Sequence, residues 1–193
     1  MKQNIMKIGP PLMLDGAYSR KDVLDHVKAV SSELLNSVPD KAGNPVWCHA
    51  FTICGDLEKG LHDFQFTPEE YLLEAQMVAL LHDVLEDLPG MDEYLLASIL
   101  GSYITWFFPG VIPNLKVLTR NKVQNYKQYI LECAFYSHVT REIKLMDVRH
   151  HIEFAVVGGE QVISDSLLER YKWAVSILEH ARKYEPVNDR VLR

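Results

Sequence analysis

The stretch ALLHDVLED, residues 79–87, places one histidine and three carboxylates beside an apolar run. On a continuous helix, four ionisable side chains would share a sector of about 140°: those of His82, Asp83, Glu86 and Asp87. Groups this close repel one another unless a cation lies between them. A divalent metal ion would remove the repulsion, with His82 and Asp83 as ligands and Glu86 and Asp87 beside an activated water. The alternative is a solvated acidic patch at a helix end, which the helix dipole disfavours.

A metal ion needs further ligands, and other helices offer a histidine and an acid. His49 stands at the start of a predicted helix, and Asp147 lies in REIKLMDVRHH, where an acid among apolar neighbours is costly to bury without a cation. The alternatives are a partly buried histidine beside Trp47 and an exposed acid paired with Lys144 or Arg149.

A second His-Asp pair, His62 and Asp63, lies in the segment EKGLHDFQF, before a helix start in which Thr67 is the predicted N-cap and Pro68 the first helical residue. No helical neighbour holds this pair, so we interpret it as a solvated polar loop.

Helical periodicity dominates the rest of the chain and predicts an all-α fold in one domain, 1–193, with a core of about 20–184. The first twelve residues and the tail after residue 185 are predicted to be loose. The predicted helices cover about 19–38, 46–57, 67–88, 91–109, 123–137, 140–154 and 164–184, with a short segment at 114–120. The aromatic run YITWFFP, 103–109, is expected to serve helix packing rather than base stacking.

The composition excludes several classes of protein. A net charge of -6 without a basic run disfavours binding to nucleic acid or to an anionic membrane. No apolar run is long enough to cross a bilayer, and the N-terminus lacks a secretion signal. Three cysteines without CxxC spacing argue against a disulfide framework, so we expect a cytoplasmic protein.

Four segments resemble motifs of the HD metal-dependent phosphohydrolase superfamily, in particular the RelA/SpoT-type and small single-domain (p)ppGpp hydrolases. The segment DKAGNPVWCHA is similar to Lys-x-Gly-x-Pro-aromatic-x-x-His-Pro, and ALLHDVLEDLP to Ala-Leu-Leu-His-Asp-x-x-Glu-Asp. VLTRNKVQNYKQYI resembles the segment before the last metal helix, and IKLMDVRHH resembles Lys-Leu-Ala-Asp-x-x-x-Asn. The likeness spans about residues 20–180.

The resemblance implies an HD-domain helical bundle that removes pyrophosphate from the 3′ position of (p)ppGpp. It assigns four ligands to a divalent metal, most commonly Mn²⁺ in this family: His49, His82, Asp83 and Asp147. Glu86 and Asp87 would orient and deprotonate the activated water or protonate the leaving group. The residues implied to contact the nucleotide substrate are Lys41, Lys116, Arg120, Lys122, Lys127 and His151.

The chain departs from the family where the base and the sugar would be bound. Asp40 stands where the family has an arginine that stacks on guanine, and His151 stands where it has a ribose-binding asparagine. Ala50 replaces the proline after the first metal histidine. Two alternatives therefore stay open: another HD-type nucleotidase or (d)NTP phosphohydrolase, and a nucleotide-binding sensor without turnover.

Overall fold

The computed structural model describes residues 19–39, 45–59, 69–157, 160–161 and 163–184. The helices of this part are α1 (Arg20–Leu35), α2 (Trp47–Glu58), α3 (Glu69–Leu81), α4 (Val84–Asp87), α5 (Glu93–Phe107), α6 (Val111–Leu118), α7 (Tyr126–Tyr136), α8 (His138–Glu153) and α9 (Asp165–Tyr184). A two-residue antiparallel pair, β1 (Val156–Val157) and β2 (Glu160–Gln161), joins α8 to α9. The prediction of an all-α fold is confirmed.

The chain divides into two compact units, Met1–Thr119 and Arg120–Arg193, so a single domain over 1–193 stays a prediction. Several predictions fall outside the described residues: the loose termini, the loop pair His62 and Asp63, and the helix start at Thr67 and Pro68.

In the first unit, α1 packs against α2, α3 and α5, and α3 also packs against α2 and α6. Helix α1 begins at a capping box, in which Ser19 and Asp22 satisfy each other's backbone N–H groups. Apolar residues at three- and four-residue steps in 19–38 predict one buried stripe, made of Val23, Val27, Val30, Leu34 and Val38. The stripe is buried through Leu34, because that face lies against the core. Val38, the last residue of the predicted stripe, lies beyond the end of the helix.

The predicted continuous helix 67–88 is wrong, because α3 ends at Leu81 and the one-turn helix α4 begins at Val84. The two residues between them, His82 and Asp83, form a turn. The single helical face on which four ionisable groups were expected therefore does not exist. His82 is buried, Asp83 is half-buried, and the two carboxylates of α4 are exposed.

A β-turn follows α4 and directs the chain into α5. The Met91 N–H donates to the Leu88 carbonyl at 3.1 Å, with Pro89 and Gly90 at the two central positions. Gly90 has a φ of 81°, the left-handed value that a type II turn requires at its third residue. Asp92 then caps α5 by accepting from the Leu95 N–H at 2.8 Å.

The aromatic run at the end of α5 was expected to pack against other helices, but only part of it is buried. Ile104 and Phe108 are buried, but Trp106 is 80% exposed and Phe107 is 60% exposed. The helix is kinked at Gly101, whose φ of 85° lies outside the helical region. Packing therefore explains only part of the run 103–109.

In the second unit, α7, α8 and α9 pack against one another. Asn125 caps α7 and Ser137 caps α8, each accepting a backbone N–H from the first turn. An ion pair between Arg149 of α8 and Glu179 of α9, at 2.7 Å, lies on the surface of this bundle. Of these three helices, α8 has the most buried residues, and it carries the predicted ligand Asp147.

No helix in the described part of the chain combines the length and the apolarity needed to cross a membrane. The three cysteines, which are all described, are free thiols.

Glu74 and Gly110 form a tight contact between α3 and the start of α6. The Glu74 carboxylate is buried and bonds the Gly110 backbone N–H, and burial raises its pKa above the usual value. A methyl group at Gly110 would lie 2.2 Å from Glu74 Oε1. The absence of a side chain at Gly110 is therefore a condition for this contact.

We predict that Gly110→Ala destabilises the protein by about 1 to 2 kcal/mol, because the Glu74 carboxylate must leave the Gly110 N–H. Gly55→Ala is the matched control, since its added methyl group meets no atom within 4 Å and lies inside α2. The control should stabilise the helix by about 0.5 to 1 kcal/mol. Urea unfolding at constant m-value measures both, and equal effects of the two substitutions would contradict the prediction.

Candidate metal centre

Three of the predicted ligands meet in the first unit. His49 lies in the first turn of α2, and His82 and Asp83 form the turn after α3. One donor atom from each lies within 4.8 Å of the other two. The two imidazole rings pack edge to face, with their centroids 5.4 Å apart. The packing of α2 against α3 therefore brings together residues that are 33 positions apart in the sequence.

The orientation of the His82 ring is fixed by the backbone of its own helix. His82 Nδ1 lies 2.8 Å from the Ala79 carbonyl oxygen. Because a carbonyl only accepts, Nδ1 carries the proton and donates, and the lone pair of the neutral ring is on Nε2. Metal-binding histidines are commonly oriented in this way by a hydrogen bond from the other nitrogen.

The donor set fits a divalent cation. His82 Nε2 and Asp83 Oδ2 are 3.2 Å apart. Two atoms that ligate one ion at about 2.1 Å are separated by about 3.0 to 3.4 Å at octahedral or tetrahedral angles. Two imidazole nitrogens and a carboxylate oxygen suit Zn²⁺, Mn²⁺ or Fe²⁺.

The break between α3 and α4 is stabilised by side chains that bond the last carbonyls of α3. His82 donates to Ala79, and the buried hydroxyl of Ser31 donates to the Leu80 carbonyl at 2.6 Å. A helix end leaves its last four carbonyls without helical partners, and a buried end needs other donors. Ser31 on α1 thus helps to fix the turn that carries His82 and Asp83.

Glu86 and Asp87 lie on α4, directly after the ligand turn, and both side chains are exposed. Partial burial and the neighbouring carboxylates of Asp83 and Glu86 raise the pKa of Asp87 from 3.8 to about 6. A carboxyl group with such a pKa accepts and releases protons close to neutral pH. The two carboxylates thus lie on a separate helix from the one that was predicted, and their role beside an activated water stays a prediction.

Asp147 lies in the second unit and is 3% exposed. Of the two partners considered from the sequence, Lys144 is the one observed, with its Nζ 2.6 Å from Asp147 Oδ2. Arg149 pairs with Glu179 instead. The alternative of an exposed Asp147 is therefore wrong. The part of that alternative which paired Asp147 with Lys144 agrees with the structure. The role of Asp147 as a metal ligand stays a prediction.

His151 is engaged by the same carboxylate. Its Nε2 lies 3.2 Å from Asp147 Oδ1, one turn earlier on α8. Its ring stacks on Tyr171 of α9, with centroids 5.3 Å apart and an interplanar angle of 14°. Half-buried between an acid and an aromatic ring, His151 is held in one orientation, and a substrate contact stays a prediction.

The remaining predicted substrate contacts have varied environments. Lys41 lies outside the described residues. Lys116 forms an ion pair with Glu93 at 2.9 Å. Arg120 donates to the Gln124 carbonyl at 3.1 Å and lies over the Tyr126 ring. Lys122 is exposed on the loop before α7, and Lys127 lies over the ring of Trp173 at 5.6 Å.

Two contributors to these sites were not anticipated from the sequence. Ser31 bonds a carbonyl 49 residues away, and no local pattern signals such a contact. Tyr171, 20 residues after His151, is also a long-range partner. Lys144 was considered only as an alternative explanation of Asp147, although its i,i+3 spacing on a helix is a recognisable signal.

A comparison with protein-family models matches none of them, and a comparison with curated proteins gives no match either. The resemblance to HD phosphohydrolases stays a prediction, as do the metal and the substrate drawn from it.

We predict that Ser31→Ala lowers the free energy of unfolding by about 1 to 2 kcal/mol, because the buried Leu80 carbonyl loses its donor. Ser32→Ala is the matched control: its hydroxyl bonds the Ala29 carbonyl on the outer side of α1 at 3.0 Å. The control should change stability by less than about 0.5 kcal/mol. Chemical denaturation measures both variants, and a wild-type value for Ser31→Ala would refute the role given to this hydroxyl.

The stability of the metal-free protein should depend on pH through the ionisation of Asp87. The folded pKa of Asp87 lies above its ordinary value, so the folded state holds the proton more tightly than the unfolded state. Ionisation of Asp87 therefore lowers stability as pH rises from about 4 to about 6, and the full penalty applies above that range. Asp87→Asn should raise Tm at pH 7.5 by on the order of 1 to 2 °C.

The gain from Asp87→Asn should disappear below about pH 4, where both states are protonated. Thermal unfolding in EDTA from pH 3.5 to 8 measures it, with Glu33→Gln, an exposed acid of α1, as the control. A gain that is independent of pH would contradict the assigned cause.

Proposed function

We propose that this protein is a metal-dependent phosphohydrolase that acts on a nucleotide, with removal of the 3′-pyrophosphate of (p)ppGpp as the leading reaction. The single observation that carries the proposal is the cluster of His49, His82 and Asp83, whose donor atoms all lie within 4.8 Å of one another. A cluster of acids alone would be weaker support, because exposed carboxylates are common without metals. Here two imidazoles and a carboxylate converge, and one imidazole is oriented by a backbone carbonyl.

Five candidate residues of the first unit divide into metal ligands and residues that act on water in this proposal. His49, His82 and Asp83 hold a divalent cation, with Mn²⁺ suggested by the family resemblance. The bound metal supplies Lewis acidity toward a phosphoryl oxygen and increases the acidity of water. Asp87, with its pKa of about 6, accepts a proton from the attacking water, and Glu86 orients that water.

The resemblance also assigns Asp147 to the ligand set, and that assignment belongs to the proposal rather than to the observed cluster. The same holds for a cytoplasmic location and for the substrate contacts of Lys41, Lys116, Arg120, Lys122 and His151. An acidic chain that binds a polyphosphate needs local positive charge, which a cation and a few basic side chains provide.

The decisive experiment incubates the purified protein and Mn²⁺ with ppGpp, deoxynucleoside triphosphates and nucleoside monophosphates, and identifies the products. We expect pyrophosphate and GDP from ppGpp. Glu86→Gln and Asp87→Asn should lower kcat by about 100-fold or more with Mn²⁺ still bound, because Glu86 orients the attacking water and Asp87 accepts its proton. Asp83→Asn should weaken Mn²⁺ binding itself. Glu33→Gln should behave as the wild type.

The other outcomes discriminate between the alternatives. Phosphate or triphosphate released from nucleotides would replace the alarmone reaction with that of another HD nucleotidase. Tight nucleotide binding without any product would indicate a sensor. A wild-type protein that binds neither Mn²⁺ nor nucleotide would overturn the proposal altogether.

A further inference from the structure

The ion pair between Lys144 and Asp147 lies inside the second unit. The Asp147 side chain is 4% exposed and that of Lys144 is 15% exposed. The two residues are three positions apart on α8, so their side chains leave the helix on the same face. The 2.6 Å separation is that of a short charge-assisted hydrogen bond.

The Lys144 ammonium group has a second contact that restrains it. Its Nζ lies 5.1 Å from the centre of the Tyr129 ring, and Tyr129 is almost fully buried in α7. An aromatic face attracts a cation and partly replaces its lost hydration. The Lys144 ammonium group is thus held between the Asp147 carboxylate and the Tyr129 ring.

A buried ion pair such as Lys144 and Asp147 contributes little net stability, because both charges must be desolvated. Removing two charges from water costs several kcal/mol per ion, and apolar residues of similar volume often stabilise as well or better. The arrangement is better explained by a need for an ionised and oriented carboxylate at Asp147. The two carboxylate oxygens are also distinguished, because Oδ2 faces Lys144 and Oδ1 faces His151.

We propose that Lys144 is a positioning residue: it holds Oδ2 of Asp147 and so directs Oδ1, the oxygen on the His151 side, as the atom that would bind a divalent cation. This inference rests on the proposed function, in which Asp147 is a metal ligand. Partners that hold the second atom of a ligand group commonly set metal affinity, and their loss costs about 10- to 100-fold. The opposing hypothesis is that the ammonium group takes the place of a metal ion and competes with it.

The two hypotheses predict opposite changes in Mn²⁺ affinity. In Lys144→Gln, which keeps a donor and removes the charge, we expect Mn²⁺ affinity measured by calorimetry to fall about 10- to 100-fold. Lys144→Arg keeps the charge and should recover most of the loss. Lys172→Gln is the matched control, because Lys172 forms an exposed pair with Glu169 at 2.8 Å, also three residues apart on one helix.

Unchanged or tighter Mn²⁺ binding in Lys144→Gln, with a normal wild type, would overturn the role of Lys144 and leave the proposed function intact. A wild type that does not bind Mn²⁺ would overturn both. The electron paramagnetic resonance spectrum of bound Mn²⁺ gives an independent readout. We expect its zero-field splitting to change in Lys144→Gln and not in Lys172→Gln.

A measurement on the wild type decides the question even if Lys144→Gln does not fold. The ammonium ¹⁵N–¹H signal of Lys144, identified by its loss in Lys144→Arg, should persist at saturating Zn²⁺, because Lys144 still holds Oδ2. Loss of this signal on Zn²⁺ binding would show that the metal displaces Lys144, and it would contradict the proposal.

Discussion

The turn that carries His82 and Asp83 depends on how two backbone carbonyls are satisfied. The carbonyls of Ala79 and Leu80 accept hydrogen bonds from the His82 ring and from the Ser31 hydroxyl. A buried carbonyl without a donor costs about 1 to 3 kcal/mol, so these donors offset the cost of ending the helix here. The same bond that ends the helix also gives the His82 ring its tautomer. One contact therefore satisfies a backbone carbonyl and orients the ring of a proposed metal ligand.

Two buried carboxylates described above each lie beside a group that offsets their charge. Asp147 faces an ammonium group and an imidazole, and the Glu74 carboxylate faces a backbone N–H at the start of α6. The cost of desolvation makes such pairings necessary. It does not by itself distinguish a structural pair from a functional one, because both satisfy the same electrostatic requirement. Geometry distinguishes a functional pair from a structural one. In a metal site, the lone pairs of several oxygen or nitrogen atoms point toward one common position.

Much of the fold could be predicted from local pattern. The apolar stripe of α1 as far as Leu34 follows from side-chain spacing and type, and so does the helical class of the chain. The meeting of His49 with His82 was predicted from chemistry, since a metal needs several ligands. The break after Leu81 could not be predicted, because it depends on Ser31 in another helix. An apolar segment of uninterrupted helical period carries no sign of such a contact.

The exposure of Trp106 also could not be predicted from local sequence. A sequence shows that an aromatic residue lies on a helix, but not whether it lies on the buried face. The buried face of α5 continues across Gly101, from Leu100 to Ile104, and Trp106 lies off that face.

The division of α3 from α4 has a consequence for the heat sensitivity of the protein. A helix of one turn has few internal hydrogen bonds, so it opens at a lower free energy than the long helix before it. Asp83 and His82 are attached to the end of a thirteen-residue helix, whereas Glu86 and Asp87 belong to the four-residue helix. Local melting would thus disorder Glu86 and Asp87 while His82 and Asp83 keep their places. Under the proposed function, the warmed protein would still bind a metal ion but would lose its activity before it unfolds.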